Sequence, residues 1–154
     1  LTDAKARALL ETNLHGVIGT VAAIVPALLA QGHGTIGIVS SVAGYGGLPK
    51  ALVYGASKAA LINFAETLYL DLAPRGLGVA LINPGFVRTP LTDRNAFPMP
   101  YLISADEAAT EIVAGLERGD FEIHFPRAFS RRLKLLRLLP YRWYFAIVRK
   151  ATGV

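Results

Sequence analysis

The sequence predicts an α/β protein with about three parallel strands, joined by helical crossovers and followed by a basic helical tail. Apolar segments with helical periodicity alternate with short β-branched runs that are apolar on both faces, as in a parallel sheet between helices. Residues 126–154 contain eight Lys and Arg and no acid, whereas residues 1–125 contain eight basic and eleven acidic residues. We therefore predict a sheet-bearing domain over 1–125 and a basic extension over 126–154.

Composition excludes several classes of protein. A chain of 154 residues, 53% hydrophobic and with a mean hydropathy of +0.41, is long and apolar enough for one folded domain. This composition excludes a disordered or collagen-like chain. The absence of cysteine excludes a disulfide scaffold, a thiolate metal site and a cysteine nucleophile. The three histidines lack the spacing of metal ligands, so we expect no metal site.

The elements of the first half follow from periodicity and from glycine. Residues 3–29 repeat apolar side chains at steps of three and four, which predicts one long helix ended by Gly32 and Gly34. Residues 35–40 form a short apolar run and predict the first strand. A glycine-rich loop follows, and helical periodicity returns over 51–72.

The second half continues the alternation. Residues 77–83 predict a second buried strand, and the proline-rich stretch 86–103 predicts a long loop. Ser104 and Glu107 match a capping box, so a helix should begin there and end before Gly119. A third strand over residues 121–125 and two tail helices broken at Pro140 complete the prediction. With only three strands, the domain matches part of a doubly wound parallel sheet, whose usual size is larger.

One constellation points to acid–base chemistry. Tyr54 and Lys58 lie four residues apart on a predicted helix, so their side chains project from one face. A free tyrosine has a pKa near 10, and a neighbouring ammonium favours the phenolate and lowers that pKa. Ser41 and the Asn83–Pro84–Gly85 sequence each follow a predicted strand, at the sheet edge where open α/β proteins bind ligands.

These segments together resemble the C-terminal part of a short-chain dehydrogenase/reductase. The match is carried by IVSSVAG at 38–44, YGASKAA at 54–60, NPGFVRT at 83–89 and Asn13 in the first helix. The resemblance covers residues 1–125 and implies a Rossmann-like sheet. It also implies an oxidoreductase that interconverts an alcohol and a carbonyl by hydride transfer, with NADP or NAD as cofactor and a small molecule as substrate.

The resemblance further implies a role for each matching residue. Tyr54 is the expected proton donor and acceptor, and Ser41 orients the substrate oxygen. Lys58 lowers the pKa of Tyr54 and holds the nicotinamide ribose, and the backbone of Asn13 binds a water of a proton relay. The expected contacts to the cofactor also include Pro84, Gly85, Val87 and Thr89, and Val42 joins the expected substrate contacts.

The family's N-terminal half carries a TGxxxGxG turn and an NNAG stretch, and neither occurs in residues 1–154. Because the glycine turn brings the cofactor's pyrophosphate to a helix N-terminus, most of the expected cofactor site is missing. We therefore expect an N-terminally truncated chain of such an enzyme. The alternative from a different class is a catalytically inactive half-domain that acts as an interaction module.

The tail leaves two interpretations open. A basic amphipathic helix followed by aromatic residues fits contact of residues 127–150 with an anionic membrane surface, which would make the protein a peripheral membrane protein. Alternatively, the tail covers the sheet or the substrate pocket and keeps a solvated basic rim. No nucleic-acid-binding module is recognisable, and we expect no nucleic acid partner.

We also expect a cytoplasmic protein, because no signal peptide is evident and the longest apolar run, residues 17–30, is interrupted by Gly19 and Pro26. The resemblance implies a homodimer or tetramer that pairs through helices 3–29 and 51–72.

Overall fold

The sheet of the described residues has three parallel strands, as the sequence predicts, and each strand pairs with the next one along the chain. A computed structural model describes residues 1–90, 92 and 99–153. The strands are β1, Thr35–Val39; β2, Gly78–Pro84; and β3, Glu122–Phe125. Because all three strands run the same way, their carboxyl ends meet at one edge of the sheet, and the segments that follow them lie together there.

Helices connect the strands and form the tail. Their bounds are α1, Asp3–Leu10; α2, Gly16–Gln31; α3, Leu52–Leu72; α4, Ala105–Glu117; α5, Arg127–Arg137; and α6, Tyr141–Thr152. Short 3-10 turns at Val42–Gly44 and Ala73–Arg75 flank α3. The predicted loop 86–103 contains an isolated parallel bridge between Val87 and Ile103. Its residues 91 and 93–98 lie outside the described part of the chain.

The helix predicted over residues 3–29 is continuous in space but is not a regular α-helix. Glu11–His15 form a π turn between α1 and α2, in which the Gly16 N–H donates to the Glu11 carbonyl. The helical path ends where the sequence predicts, since Gly32 adopts a left-handed φ of 79° and its N–H donates to the Leu28 carbonyl. The predicted capping box of Ser104 and Glu107 is also confirmed.

Two apolar clusters hold the layers together. Helices α2 and α3 cover one face of the sheet, where Leu61 and Ala65 pack against Ile38 and Leu81. Helix α4 covers the other face at β2 and β3, with Ala108 against Ile123. Burial of these side chains supplies most of the free energy that favours folding.

The expectation that β1 is buried on both faces is wrong for the described chain. Ile36 and Ile38 are buried under α2 and α3, but Thr35, Gly37 and Val39 are exposed, and Val39 keeps 52% of its surface. The reason is that no helix among the described residues packs on that face of β1. Strand β2 does match the prediction, because residues 79–83 are buried.

One helical path, Asp3–Gln31, is long and apolar enough to cross a membrane by length and composition. The run 17–30, on which the sequence analysis relied, is shorter than this path and covers only its second half. Only 6% of the apolar window of this path is buried within the described residues, although Leu14, Val17 and Leu28 are partly buried against the sheet cluster.

Candidate active site

The carboxyl edge of the sheet brings Ser41 and the Pro84–Gly85 turn together, as predicted. Ser41 follows β1 in extended conformation and caps the 3-10 turn, where its Oγ accepts from the Ala43 N–H at 3.1 Å. The same hydroxyl reaches the Pro84 carbonyl at 3.4 Å. Ser41 is 8% exposed, and these two contacts hold its hydroxyl in place.

Glycine allows the loop after Ser41 to lie against α3. A Cβ on Gly44 would be 2.8 Å from the Lys58 carbonyl carbon and 2.9 Å from the Ala59 nitrogen, which is closer than a side chain allows. The Ser40 hydroxyl also connects the end of the strand to α3, because it donates a hydrogen bond to the Lys58 carbonyl at 2.7 Å. This close approach brings the serine loop to the same place as the first turns of α3.

Tyr54 and Lys58 project from one face of α3, as their spacing predicts. Tyr54 is 39% exposed, and the Lys58 Nζ lies 5.8 Å from the centre of its ring. Lys58 donates to the carbonyl of Val39, the last residue of β1, at 3.0 Å. Burial lowers the pKa of Lys58, since the charged form loses solvation. The arrangement holds an ammonium one helical turn from the phenol.

Asn13 lies in the π turn and faces α3. Its Nδ2 donates to the Ser57 hydroxyl at 3.4 Å, and Ser57 in turn donates to the Tyr54 carbonyl at 2.8 Å. Ser57 is fully buried. These contacts connect the first helix to the turn of α3 that carries Tyr54, and π turns are frequent at functional sites.

The segment after β2 contains the remaining predicted contacts. Gly85 donates to the Phe125 carbonyl at 2.7 Å and is packed so closely that a Cβ would be 3.2 Å from Phe129. The Val87 carbonyl and the Thr89 hydroxyl both contact Thr92, whose hydroxyl donates to Val87 at 2.8 Å. A cofactor role for Pro84, Gly85, Val87 and Thr89 stays a prediction.

Sequence reasoning missed a polar cluster next to this edge. The Glu122 carboxylate accepts from the Tyr45 hydroxyl at 2.6 Å and from the Asn83 Nδ2 at 2.9 Å, and it pairs with Lys134 of the tail. Burial raises the pKa of Glu122, but the hydrogen bonds from Lys134, Tyr45 and Asn83 outweigh it and hold this pKa below its usual range. Burial and the hydrogen bond to Glu122 raise the pKa of Tyr45. The only sequence signal was Asn83 in the strand-end motif.

A cavity of about 390 Å³ opens where these segments meet. Ser41, Val42 and Tyr54 line it together, so the structure brings the predicted substrate-contacting residues to one space. Gly85 and Phe129 form part of the opposite wall. A volume of this size is typical of small-molecule sites.

The described residues thus combine a parallel α/β sheet, a cavity at its carboxyl edge lined by Ser41 and Tyr54, and Lys58 outside that lining, one helical turn from Tyr54. This is the place where open α/β proteins bind small molecules. The family model for short chain dehydrogenases matches residues 1–97. The chain belongs to the short chain dehydrogenase family.

Individual relatives agree with this assignment. An uncharacterized oxidoreductase of Myxococcus xanthus (strain DK1622) is 36% identical over 146 residues, which cover 95% of this chain and 58% of the relative. A short chain dehydrogenase from Burkholderia cenocepacia J2315, solved in complex with NADP, superposes with a TM-score of 0.81 at 31% identity, covering 93% of this chain and 58% of that chain.

A family member from Burkholderia phymatum, solved in complex with NAD, gives a TM-score of 0.70 at 27% identity, covering 80% of this chain and 54% of that chain. The chain thus spans somewhat more than half the length of the relatives it matches.

Proposed function

We propose that the protein carrying this chain is an NAD(P)-dependent oxidoreductase that interconverts an alcohol and a carbonyl, with Tyr54 as proton donor and acceptor. The main support for this proposal is that Ser41 and Tyr54 line one cavity and that Lys58 lies one helical turn after Tyr54. A packing role alone would not require a buried serine, a half-exposed phenol and a desolvated ammonium at one sheet edge.

The residues present fit the nicotinamide end of such a cofactor. Among the described residues, the Lys58 ammonium donates to Val39 alone, and an ammonium has three N–H donors. Lys58 and Tyr54 would hold the ribose, and the segment from Pro84 to Thr89 would hold the carboxamide. When bound, the nicotinamide supplies or accepts the hydride. The complexes of the Burkholderia relatives with NADP and with NAD support this class of cofactor and leave the choice between the two open.

The chain's own residues would move and hold the proton. In the reducing direction, the Tyr54 hydroxyl donates its proton to the carbonyl oxygen while the Ser41 hydroxyl donates a hydrogen bond to the same atom. The Lys58 ammonium stabilises the phenolate that remains. The backbone of Asn13, in the π turn, would bind a water that links Lys58 to solvent, and this relay would return a proton to Tyr54. In the oxidising direction, the same groups act in reverse.

The test is Tyr54→Phe in the protein that carries this chain. Loss of the proton donor should reduce turnover by roughly 100-fold or more, with unchanged folding by circular dichroism. Tyr69→Phe is the matched control, because Tyr69 lies on the same helix at 40% exposure and packs on Phe121 away from the cavity. Turnover of the Tyr54 variant within about tenfold of the parent would refute the proposal.

We also propose that this protein self-associates through the first helical path and α3. Ile24 and Leu70 expose 44% and 72% of their surface on these helices, which supports pairing with a second copy. Light scattering should give the mass of a dimer or tetramer, and Leu70→Glu should lower it. A monomeric parent protein would contradict this proposal.

A membrane contact of the tail is supported by the turn between α5 and α6. Leu138, at the end of α5, and Trp143, in the first turn of α6 beside Arg142, are 80% and 62% exposed in a tail without acidic residues. Trp143 is the only tryptophan, so its fluorescence should shift to the blue on addition of phosphatidylglycerol vesicles and not of phosphatidylcholine vesicles. An unchanged spectrum with both would contradict this contact.

A further inference from the structure

The first helix of the tail reaches the proposed active site. Phe129, on α5, lines the same cavity as Ser41 and Tyr54. Its ring stacks on Phe86 and on Tyr101, each with centroids 5.8 Å apart, which is an ordinary distance for interacting aromatic rings. The tail therefore contributes an aromatic wall to the cavity.

Polar contacts fix α5 in this position. Ser130 is fully buried, and its hydroxyl lies 2.7 Å from His124 Nδ1 and donates to the Pro126 carbonyl at 3.1 Å. One turn further on, Lys134 pairs with Glu122 on β3. Because these contacts connect α5 to His124 and to Glu122 on β3, the ring of Phe129 is held by the sheet and not only by its aromatic neighbours.

The cavity beside Phe129 is mainly apolar. Lys134 is directed to Glu122, so this basic residue of the tail does not charge the cavity wall. Lys50 is the charged side chain among the described lining residues, and it is exposed. The larger apolar side chains among the described lining residues are Val42, Leu48, Pro49, Phe86 and Phe129. Such a wall binds an uncharged apolar group and gains nothing from a small polar one.

We propose that Phe129 is a specificity-determining residue and that the substrate is an uncharged ketone or secondary alcohol with an aromatic or similarly bulky apolar substituent. This inference rests on the proposed function. The carbonyl oxygen lies at Ser41 and Tyr54, and the apolar substituent packs on the ring of Phe129. A ring placed there adds a stacking contact that a short alkyl group cannot make.

The experiment compares acetophenone with butanone as substrates of the protein that carries this chain. The parent protein should prefer acetophenone, and Phe129→Ala should lower kcat/KM for acetophenone by roughly tenfold or more, mainly through KM, because the ring is lost from the wall. Its kcat/KM for butanone should change by less than about threefold. Phe129→Leu keeps an apolar side chain on the wall, and its kcat/KM for acetophenone should fall between that of the parent and that of Phe129→Ala.

Phe145→Ala is the matched control. Phe145 is a half-exposed tail aromatic that stacks on Tyr141, outside the lining of the cavity, and its removal should leave the acetophenone to butanone ratio unchanged.

The possible failures can be told apart. If the parent reduces neither ketone with NADH or NADPH and oxidises neither alcohol, the proposed function fails as well. If the parent turns over butanone at least as well as acetophenone, or if both Phe129 variants leave the ratio unchanged, only the inference about Phe129 is overturned. Circular dichroism of Phe129→Leu shows whether a loss reflects folding.

Discussion

Glu122→Ala tests whether the polar cluster between the strand ends and the tail stabilises the fold. The substitution removes the acceptor of the Tyr45 hydroxyl and of the Asn83 amide, together with the partner of Lys134. Asn83 is fully buried, and its Oδ1 has no hydrogen-bond partner among the described residues. After the substitution its Nδ2 would also lose the bond to Glu122.

The expected loss follows from these contacts. A buried donor without a partner costs about 1–3 kcal/mol, and the buried Asn83 amide should come close to this full cost. Lys134 adds little, because its side chain is 37% exposed and can turn to water. With the lost bond of Tyr45, the free energy of unfolding should fall by about 2–4 kcal/mol. Glu122→Gln keeps an acceptor oxygen and should cost only about 1 kcal/mol.

The stabilisation contributed by Glu122 should decrease as the pH is lowered. Because the pKa of Glu122 is held below its ordinary value of 4.5 in the folded protein, its stabilising effect is present above that value. This effect is lost as the pH falls through the folded pKa. The difference between the parent and Glu122→Gln should therefore shrink as the pH is lowered from 7 to below 4.5.

Urea unfolding followed by circular dichroism measures both effects. Glu117→Gln, an exposed carboxylate on α4, is the control and should stay within about 0.5 kcal/mol of the parent. If Glu122→Ala also stays within about 0.5 kcal/mol, or if the difference for Glu122→Gln does not change with pH, the assigned role of the cluster is refuted.

Three further predictions concern packing, capping and catalysis. Gly115→Ala should lower the free energy of unfolding by about 1–3 kcal/mol, because its Cβ would lie 2.6 Å from Ile123 Cγ1. At Gly19 a Cβ meets no other atom, so Gly19→Ala should raise the free energy of unfolding by about 0.5–1 kcal/mol in urea titration. If both glycine variants changed this free energy by the same amount, the close contact of Gly115 with Ile123 would be contradicted. Ser104→Ala removes the capping box and should cost about 1 kcal/mol in thermal unfolding, and an unchanged Tm would show the cap to be unimportant. Lys58→Met should lower turnover by more than about tenfold without unfolding, and near-parental steady-state rates would exclude its role.

The strands, most helix ends and the meeting of Ser41 with Tyr54 were predictable, because each depends on local patterns. Periodicity marks the helices, glycine and proline mark their ends, and parallel strands bring their carboxyl ends to one edge. Two residues that follow different elements can then be placed together without knowing their side-chain contacts.

The remainder depends on contacts between distant residues. Tyr45 and Glu122 are 77 positions apart and carry no shared motif, and no pattern in the basic tail indicates that Lys134 pairs with Glu122. The exposed face of Val39 differs from its prediction because burial depends on which helices lie above the strand. The position of Phe129 in the cavity depends on how α5 packs against the sheet, which periodicity within the tail does not indicate.

The π turn at residues 11–15 makes the length of the first helix as important as its composition. Its wider ring accommodates one more residue than an α-helical turn, so it is equivalent to a single-residue insertion. Deleting one residue there would restore a regular α-helical turn and shift the residues of the turn by up to about 100° around the helix axis, while α1 and α2 keep their relative orientation. Asn13 would then turn away from Ser57. A loss of one codon in this turn should therefore be far more harmful than most substitutions within it.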